Sequence, residues 1–308
     1  MGKADMSTQK STIVRFKETA KMTAVRTAFG TLERLAPGLG GRWAERLWLT
    51  VPPYRGRRAD VIPPGEPFTV TVDGRRVAGR TWGSGPVVYL VHGWGGQSAQ
   101  LRAFLDPLLA AGHRVVTFDA LSHGDSDPGA LGPRRTTVTE MAAALEAVAE
   151  KHGPAHAIIA HSLGGNAVFF ALRRGLRAGR LVFLAPMTQP MPYTAIFAAT
   201  LGFDHRVRAR MLERVARRAG VPWSAFDIPS QVPDIAPPPL LTVHDPNDRE
   251  TRYADSVALA KAWPDAELVT VQDLGHWRLL RDPATVARAV GFVTAGNAGT
   301  TGGRAAAG

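Results

Sequence analysis

The chain has 308 residues, 45% of them hydrophobic, with a formal net charge of +11, enough for one large α/β domain or two small ones. It contains no cysteine, which excludes disulfides, thiolate metal ligands and a cysteine nucleophile, and no apolar run approaches the roughly 20 residues that span a bilayer. The arginine-rich charge is dispersed and accompanied by no helix-turn-helix, zinc-spaced or RNA-binding aromatic pattern, so no nucleic-acid partner is expected.

Residues 1–10 are polar and expected to be disordered. The basic start has no apolar h-region, which makes the cytoplasm the expected location. Abundant Ala, Arg, Gly and Pro suggest a high-GC bacterial source. From Ser11 to Leu35 the residues Ile13, Val14, Phe16, Ala20, Val25, Phe29 and Leu32 fall roughly on one side at helical spacing. Pro37-Gly38 should stop that helix. Glu45 to Val51 reads as another short helix, ended by Pro52-Pro53. The segment thus far carries Arg42 and Arg46, and Arg55, Arg57 and Arg58 follow. Phe68 to Val72, Asp73-Gly74 and Arg76-Val77 read as a β-hairpin turning on Asp-Gly.

After Gly85-Pro86 apolar strands alternate with helices. Strands are expected at 87–91, 114–118, 157–160, 181–184, 240–243 and 266–271. Helices are expected at 100–111, 138–151, 163–174, 257–262 and 284–292. This alternation predicts a mostly parallel, doubly wound sheet. Residues 186–239 interrupt it with a basic helical stretch, Arg206 to Arg218, and a proline-rich end, as an inserted lid or cap would. The expected organisation is a basic, partly helical extension (1–65), a core in two pieces (66–185 and 240–295), a cap (186–239) and a disordered tail (296–308).

The segment Ile158-Ile159-Ala160-His161-Ser162-Leu163-Gly164-Gly165 is the most informative. An apolar run ends in a serine with small residues two positions before and after it, the pattern of a nucleophile elbow. A serine at a tight strand-to-helix turn is pushed out above the sheet, and bulky neighbours two residues away would strike adjacent strands. A serine hydroxyl needs a base and a group to hold that base, and after such an elbow the acid comes next in the chain and the histidine last. Leu240-Leu-Thr-Val-His244-Asp245-Pro246-Asn247-Asp248 runs a strand into a turn with two aspartates. Asp248, past the turn, is favoured as the acid; Asp245 is the other candidate and would otherwise cap the turn. His276, in Leu274-Gly275-His276 after the last strand, is the expected base. His161 adjoins Ser162, but adjacent side chains at such a turn diverge. The glycine-rich loop His92-Gly93-Trp94-Gly95-Gly96 closes the first buried strand. Its Trp94 N–H, with that of Leu163, is the expected oxyanion hole.

These landmarks, with Phe118-Asp119-Ala-Leu-Ser122-His123-Gly124-Asp125-Ser126 between them, make the chain from about Phe68 to Phe292 resemble the α/β-hydrolase superfamily. Ala160 and Ser122 stand where that pattern usually has glycine; both are small. The resemblance implies an eight-stranded sheet with helices on both faces and a cap after the sixth strand. Serine at the elbow is similar to the esterase, lipase, thioesterase and C–C hydrolase branches. Dehalogenases and epoxide hydrolases of this fold use aspartate there.

The expected reaction is acyl transfer from a small-molecule carboxylic ester or related acyl substrate to water, through an acyl-enzyme, with no metal or organic cofactor. Met187, Met191, Tyr193, Phe197 and Trp223 are candidates for an apolar acyl pocket, or else core of the cap. Two further readings stay open. One is a non-catalytic binding protein on the same fold. The other is a lipid esterase whose basic segment from Ser11 to Arg58 rests on an anionic membrane surface; a helix packed on the body is preferred to that.

Overall fold

The computed structural model describes residues 20–54 and 61–295. The expectations for residues 1–19, for Arg55, Arg57 and Arg58, and for the tail 296–308 lie outside the described residues. Two compact units are distinguished. Among the described residues, one takes 20–49 with Pro190–Trp223; the other takes the rest, from Thr50 to Gln189 and from Ser224 to residue 295.

The larger unit is built on one sheet. Its hairpin, Glu66–Val72 (β1) and Arg75–Trp82 (β2), turns through Asp73 (φ 46°) and Gly74 (φ 76°), the left-handed pair that suits an Asp-Gly hairpin turn. Val87–Val91 (β3), Arg114–Phe118 (β4), Ala155–His161 (β5), Ala178–Leu184 (β6), Leu240–His244 (β7) and Ala266–Thr270 (β8) follow. The sheet has eight strands in the order β1-β2-β4-β3-β5-β6-β7-β8. β2 pairs antiparallel with β1 and β4, and all other neighbours are parallel. The order reverses between β3 and β5, and loops leaving the carboxyl ends of strands at such a switch point flank a ligand crevice. Here those loops begin at His92 and Ser162.

Strands buried on both faces read as near-continuous apolar runs, and most residues of β3 to β7 are buried, with Val, Leu, Ile and Ala predominating. Val88 and Leu90 of β3, Ile159 of β5 and Val182 and Leu184 of β6 share one core. It also holds Leu101, Phe104, Leu105 and Leu108, and Val286, Ala289 and Val293 of a late helix, Pro283–Thr294. Phe169 and Phe183 pack edge-on against Trp263, which is buried. The helix expected over 100–111 is divided: a tight 3₁₀ segment, Ser98–Phe104, precedes an α-helix at Leu105–Ala110. Pro107 is the reason, because it has no N–H to give and is tolerated only in a first turn.

The smaller unit is helical: residues 20–35 (α1), Pro37–Trp48 (α2), Pro190–Leu201 (α3) and His205–Ala219 (α4). The short helix expected at 45–51 is the end of α2, which starts earlier because Pro37 both ends α1 and occupies the first position of the next helix. Segments that the sequence kept apart, the extension and the cap, pack together here. Gly40 and Gly41 let α2 close on α4; a Cβ on them would lie 2.6 Å from Val207 and 2.4 Å from Arg210. Glu33 accepts the N–H groups of Asp204, Arg206 and Val207 at the start of α4, and those bonds outweigh burial and lower its pKa. The buried Glu45 carboxylate bonds Arg214 and Arg218. Arg206 bonds the carbonyls of Glu33 and Arg34, and Arg208 bonds Thr194. Much of the basic stretch is therefore used within its own unit.

Candidate active site

β5 ends at His161, and Ser162 adopts φ 54°, ψ −125° before the helix Leu163–Arg173 begins. For a residue with a side chain this conformation costs about 1–3 kcal/mol and persists only where the surroundings impose it. They do so from both sides. The Ser162 N–H donates to the Leu184 carbonyl (2.9 Å), and its carbonyl accepts from Gly165 (3.1 Å) and Met187 (3.3 Å). A Cβ on Gly164 would come within 2.6 Å of the His92 carbonyl oxygen, the physical reason for a glycine two residues past the serine.

The loop from His92 to Gly96 lies against this turn. A Cβ on Gly93 would be 2.9 Å from Ser162 Cβ and 3.0 Å from the His161 carbonyl. Two buried histidines shape the loop. His92 accepts the Ala120 N–H at Nε2 (3.0 Å) and donates from Nδ1 to the Gly93 carbonyl (2.8 Å). His123 accepts the Gly95 N–H at Nε2 (3.1 Å) and donates from Nδ1 to the Leu121 carbonyl. Burial, and then each other's proximity for His123, keep both neutral: His92 is lowered and His123 is pushed down to about 3. Trp94, at the centre of the loop, anchors its indole N–H on the Thr50 carbonyl (3.2 Å). Asp119 accepts the N–H groups of Ser98 and Asp125, which explains the acid in that stretch.

The structure pairs Asp248 with His276: Oδ2 lies 2.8 Å from Nδ1. Oδ2 also takes the Thr251 hydroxyl (3.0 Å), and Oδ1 takes the N–H groups of Glu250 (2.7 Å) and Thr251 (3.0 Å). Burial alone would raise this carboxyl, but bonds from His244, His276 and the backbone hold it well below the carboxylate range. With the Nδ1 proton directed to Asp248, Nε2 is the ring nitrogen left with a lone pair. Asp245, the other candidate, does different work. Its buried carboxylate caps Asn247 N–H (2.8 Å) and accepts from Leu274 (2.7 Å) and Gly275 (2.6 Å). It ties the acid loop to the histidine loop.

His161 is buried beside the serine, yet both its nitrogens are engaged. Nε2 donates to the His276 carbonyl (3.0 Å) and Nδ1 accepts from Gln100 Nε2 (3.2 Å). Burial, and then the nearby His276, lower its pKa well below the usual imidazole value. Glu250 lies 3.9 Å from His276 Nε2 and accepts the Trp277 indole N–H. Of the five side chains expected to line an acyl pocket, Met187 is half-buried in the loop bonded to Ser162. Met191, Tyr193, Phe197 and Trp223 belong to the helical unit. There Phe197 and Trp223 pack edge-on against Trp48.

Sequence reasoning passed over His244, Thr251 and Gln100, and saw His92 and His123 only as motif letters. A buried histidine within a few residues of a candidate acid was the available signal for His244. Among the described residues no cluster of three or more His, Asp or Glu side chains could hold a metal ion, and no helix is long and apolar enough to cross a membrane.

Comparison with known proteins agrees with the fold. A family model described as "Alpha/beta hydrolase family" matches residues 88–289. A 2-hydroxy-6-oxononadienedioate/2-hydroxy-6-oxononatrienedioate hydrolase of Paraburkholderia xenovorans (strain LB400) is 27% identical over 63% of this chain and 78% of its own length. A 2-hydroxy-6-oxo-6-phenylhexa-2,4-dienoate hydrolase of Burkholderia cepacia is 25% identical over 63% and 82%. Among solved structures, Est1E from Butyrivibrio proteoclasticus, bound to ferulic acid, superposes with a TM-score of 0.55 at 20% identity, covering 74% of this chain and 96% of its own.

Proposed function

Because the chain belongs to the alpha/beta hydrolase family, a family of hydrolytic enzymes, we propose that it is a serine hydrolase acting on a carboxylic ester or related acyl substrate through Ser162, His276 and Asp248. The observation that carries this reading is the 2.8 Å bond from His276 Nδ1 to Asp248 Oδ2, which leaves Nε2 as the base. Ser162 Oγ attacks the carbonyl carbon as His276 Nε2 takes its proton. Asp248 holds the ring and stabilises the imidazolium. The backbone N–H groups of Leu163 and Trp94 hold the oxyanion, each donor being worth about 2.7–4 kcal/mol at the transition state. His276 returns the proton to the leaving group, and water repeats the sequence on the acyl-enzyme.

The names of the two curated relatives favour a second substrate class for the same residues: a 2-hydroxy-6-oxo dienoate. Attack at the 6-oxo carbonyl then expels a carbon rather than an oxygen leaving group, which needs the same proton.

Labelling with a fluorophosphonate probe, beside Ser162→Ala, tests the triad. A p-nitrophenyl ester series from acetate to palmitate, and a 2-hydroxy-6-oxo dienoate followed by loss of its absorbance, separate the two substrate classes. Labelling lost in the variant, with turnover in one series, supports the reading. Folded wild-type protein that is neither labelled nor active refutes it in favour of a binding protein or of a different nucleophile.

A further inference from the structure

His244 stands at the end of β7, fully buried, and nothing in the mechanism above uses it. Its Nε2 lies 3.5 Å from Asp248 Oδ2, the oxygen that also meets His276, and 3.4 Å from the Thr251 hydroxyl. Its Nδ1 lies 2.6 Å from the hydroxyl of Ser256, also fully buried, on the helix Tyr253–Ala262. We propose that the buried Ser256–His244 pair is a positioning device for the triad acid, with His244 sharing the Asp248 oxygen that receives His276. The proposal rests on the triad reading.

The proton order follows from the partners. A bare Nε2 would set a lone pair against a carboxylate oxygen, which is repulsive. The favourable tautomer carries the proton on Nε2 and accepts the Ser256 O–H at Nδ1. Ser256 therefore fixes the tautomer, and His244 Nε2–H points toward Asp248 and Thr251. Ser256, His244 and Asp248 have the composition of a second triad. With Ser256 and His244 fully buried they are closed to substrate, so His244 acts through Asp248. Thr251 completes the arrangement: its hydroxyl is 3.0 Å from Asp248 Oδ2, 3.1 Å from His276 Nδ1 and 3.1 Å from the Ala185 carbonyl. A buried hydroxyl and two imidazoles thus converge on one oxygen. A histidine serving packing alone has no need to face that atom.

Removing His244 has two consequences. The carboxylate loses a restraint, which lowers the fraction of His276 held in its working orientation. It also loses a competing donor, which leaves more charge for the His276 imidazolium. The acid limb of kcat/KM therefore moves to higher pH, because the protonated ring becomes more stable. The titratable groups facing the two rings are Asp248, Glu250, His161 and Tyr253; all stay in place in the variants.

The test compares His244→Leu, His244→Gln and Ser256→Ala with wild type in the full chain, on the best substrate found above. Gln retains an N–H near the place of Nε2; Leu keeps bulk without a donor; Ser256→Ala removes one buried oxygen. Expected for His244→Leu is a kcat about 10- to 100-fold lower with KM within about 2-fold, the loss of one hydrogen bond to a charged group. Its acid limb shifts to higher pH, His244→Gln recovers most of kcat, and Ser256→Ala falls between. The imidazole N–H signal of His276 in proton NMR should also move in each variant. An active wild type whose His244→Leu form keeps its kcat, pH profile and N–H signal overturns the proposal while leaving the triad standing. So does a loss of kcat that Gln does not recover, with an unmoved acid limb, which marks a packing role. Wild-type protein with neither labelling at Ser162 nor turnover overturns the triad reading and this proposal together.

Discussion

Removing the Asp245 carboxylate should separate the acid loop from the histidine loop. The fully buried carboxylate of Asp245 accepts three backbone N–H groups, from Asn247, Leu274 and Gly275. In Asp245→Ala the Asn247 donor, on an exposed residue, finds water. The donors of Leu274 and Gly275, on half-buried residues, do so incompletely. An unsatisfied buried donor costs about 1–3 kcal/mol, so two cost about 2–6 kcal/mol, and their partial exposure points to about 2–4 kcal/mol. That is a large share of the roughly 5–15 kcal/mol that holds a domain together. Catalysis should suffer more sharply. Gly275 immediately precedes His276, and a 1 Å displacement of a catalytic group costs about 100-fold. Urea unfolding and kcat/KM of Asp245→Ala and Asp245→Asn give both quantities, with Asn, which keeps one acceptor, losing about half as much stability. The pH dependence adds a check. Burial raises this carboxyl, but its N–H partners outweigh that and lower its pKa. A carboxylate lowered by folding contributes stability above its unfolded value of about 3.9 and loses it as the pH falls through the folded value. The Asn variant should therefore show a flatter stability curve in that acid window. Wild-type stability and kcat in Asp245→Ala would refute the coupling of the two loops.

Three other outcomes follow from the geometry. Gly93→Ala places a methyl 2.9 Å from Ser162 Cβ and should lower kcat at least about 10-fold, with thermal stability changed less than activity; unchanged kcat would mean that the His92–Gly96 loop gives way freely. His123→Leu deprives the Gly95 N–H of its acceptor and should cost about 1–3 kcal/mol. The wild-type ring, pushed down to about 3 by burial and then by His92, must lose stability as the pH falls from its unfolded value of about 6.5 toward 3, so denaturation midpoints of the variant should fall less across that range. Glu45→Gln breaks the pairs with Arg214 (2.6 Å) and Arg218 (3.1 Å). Buried pairs of this kind cost about 3–5 kcal/mol to break, less here because Arg218 is half exposed. Limited proteolysis should then cut faster within Pro190–Trp223 while the sheet unit keeps its urea midpoint.

The strands from Val87 to Val91 and from Arg114 to Phe118 were legible to the residue, because an apolar run bounded by Gly, Pro or polar residues has few other homes. The Asp73-Gly74 turn was legible for a similarly local reason. The helix starts at Pro37 and Leu105 were misjudged. Pro37 reads as a stop signal yet also occupies the first position of the next helix, and Pro107, inside a run that reads as one helix, sits in the first turn of a helix that starts only at Leu105; only the path of the flanking chain decides either. The elbow stood out because Ser162 and the small residues beside it answer to contacts with adjacent strands. His276 could be named from its place after the last strand, whereas chain order favoured Asp248 but left Asp245 open as the acid. What Asp245 does could not be named, since its partners Leu274 and Gly275 lie in a different loop.

The sequence by itself determined the strand-helix alternation, the elbow and the chemical identity of the three candidate catalytic side chains. Periodicity, turn chemistry and strand length act over a few neighbouring residues and leave their mark in order. The tertiary structure alone decided which histidine meets which carboxylate, that His244 and Thr251 crowd the oxygen Asp248 offers to His276, and that the N-terminal helices join the inserted ones through Glu45. These depend on groups far apart in the chain, such as Glu45 and Arg214, 169 residues distant. A buried polar group takes the nearest complementary partner that folding brings to it, and spacing along the chain carries no record of which partner that will be.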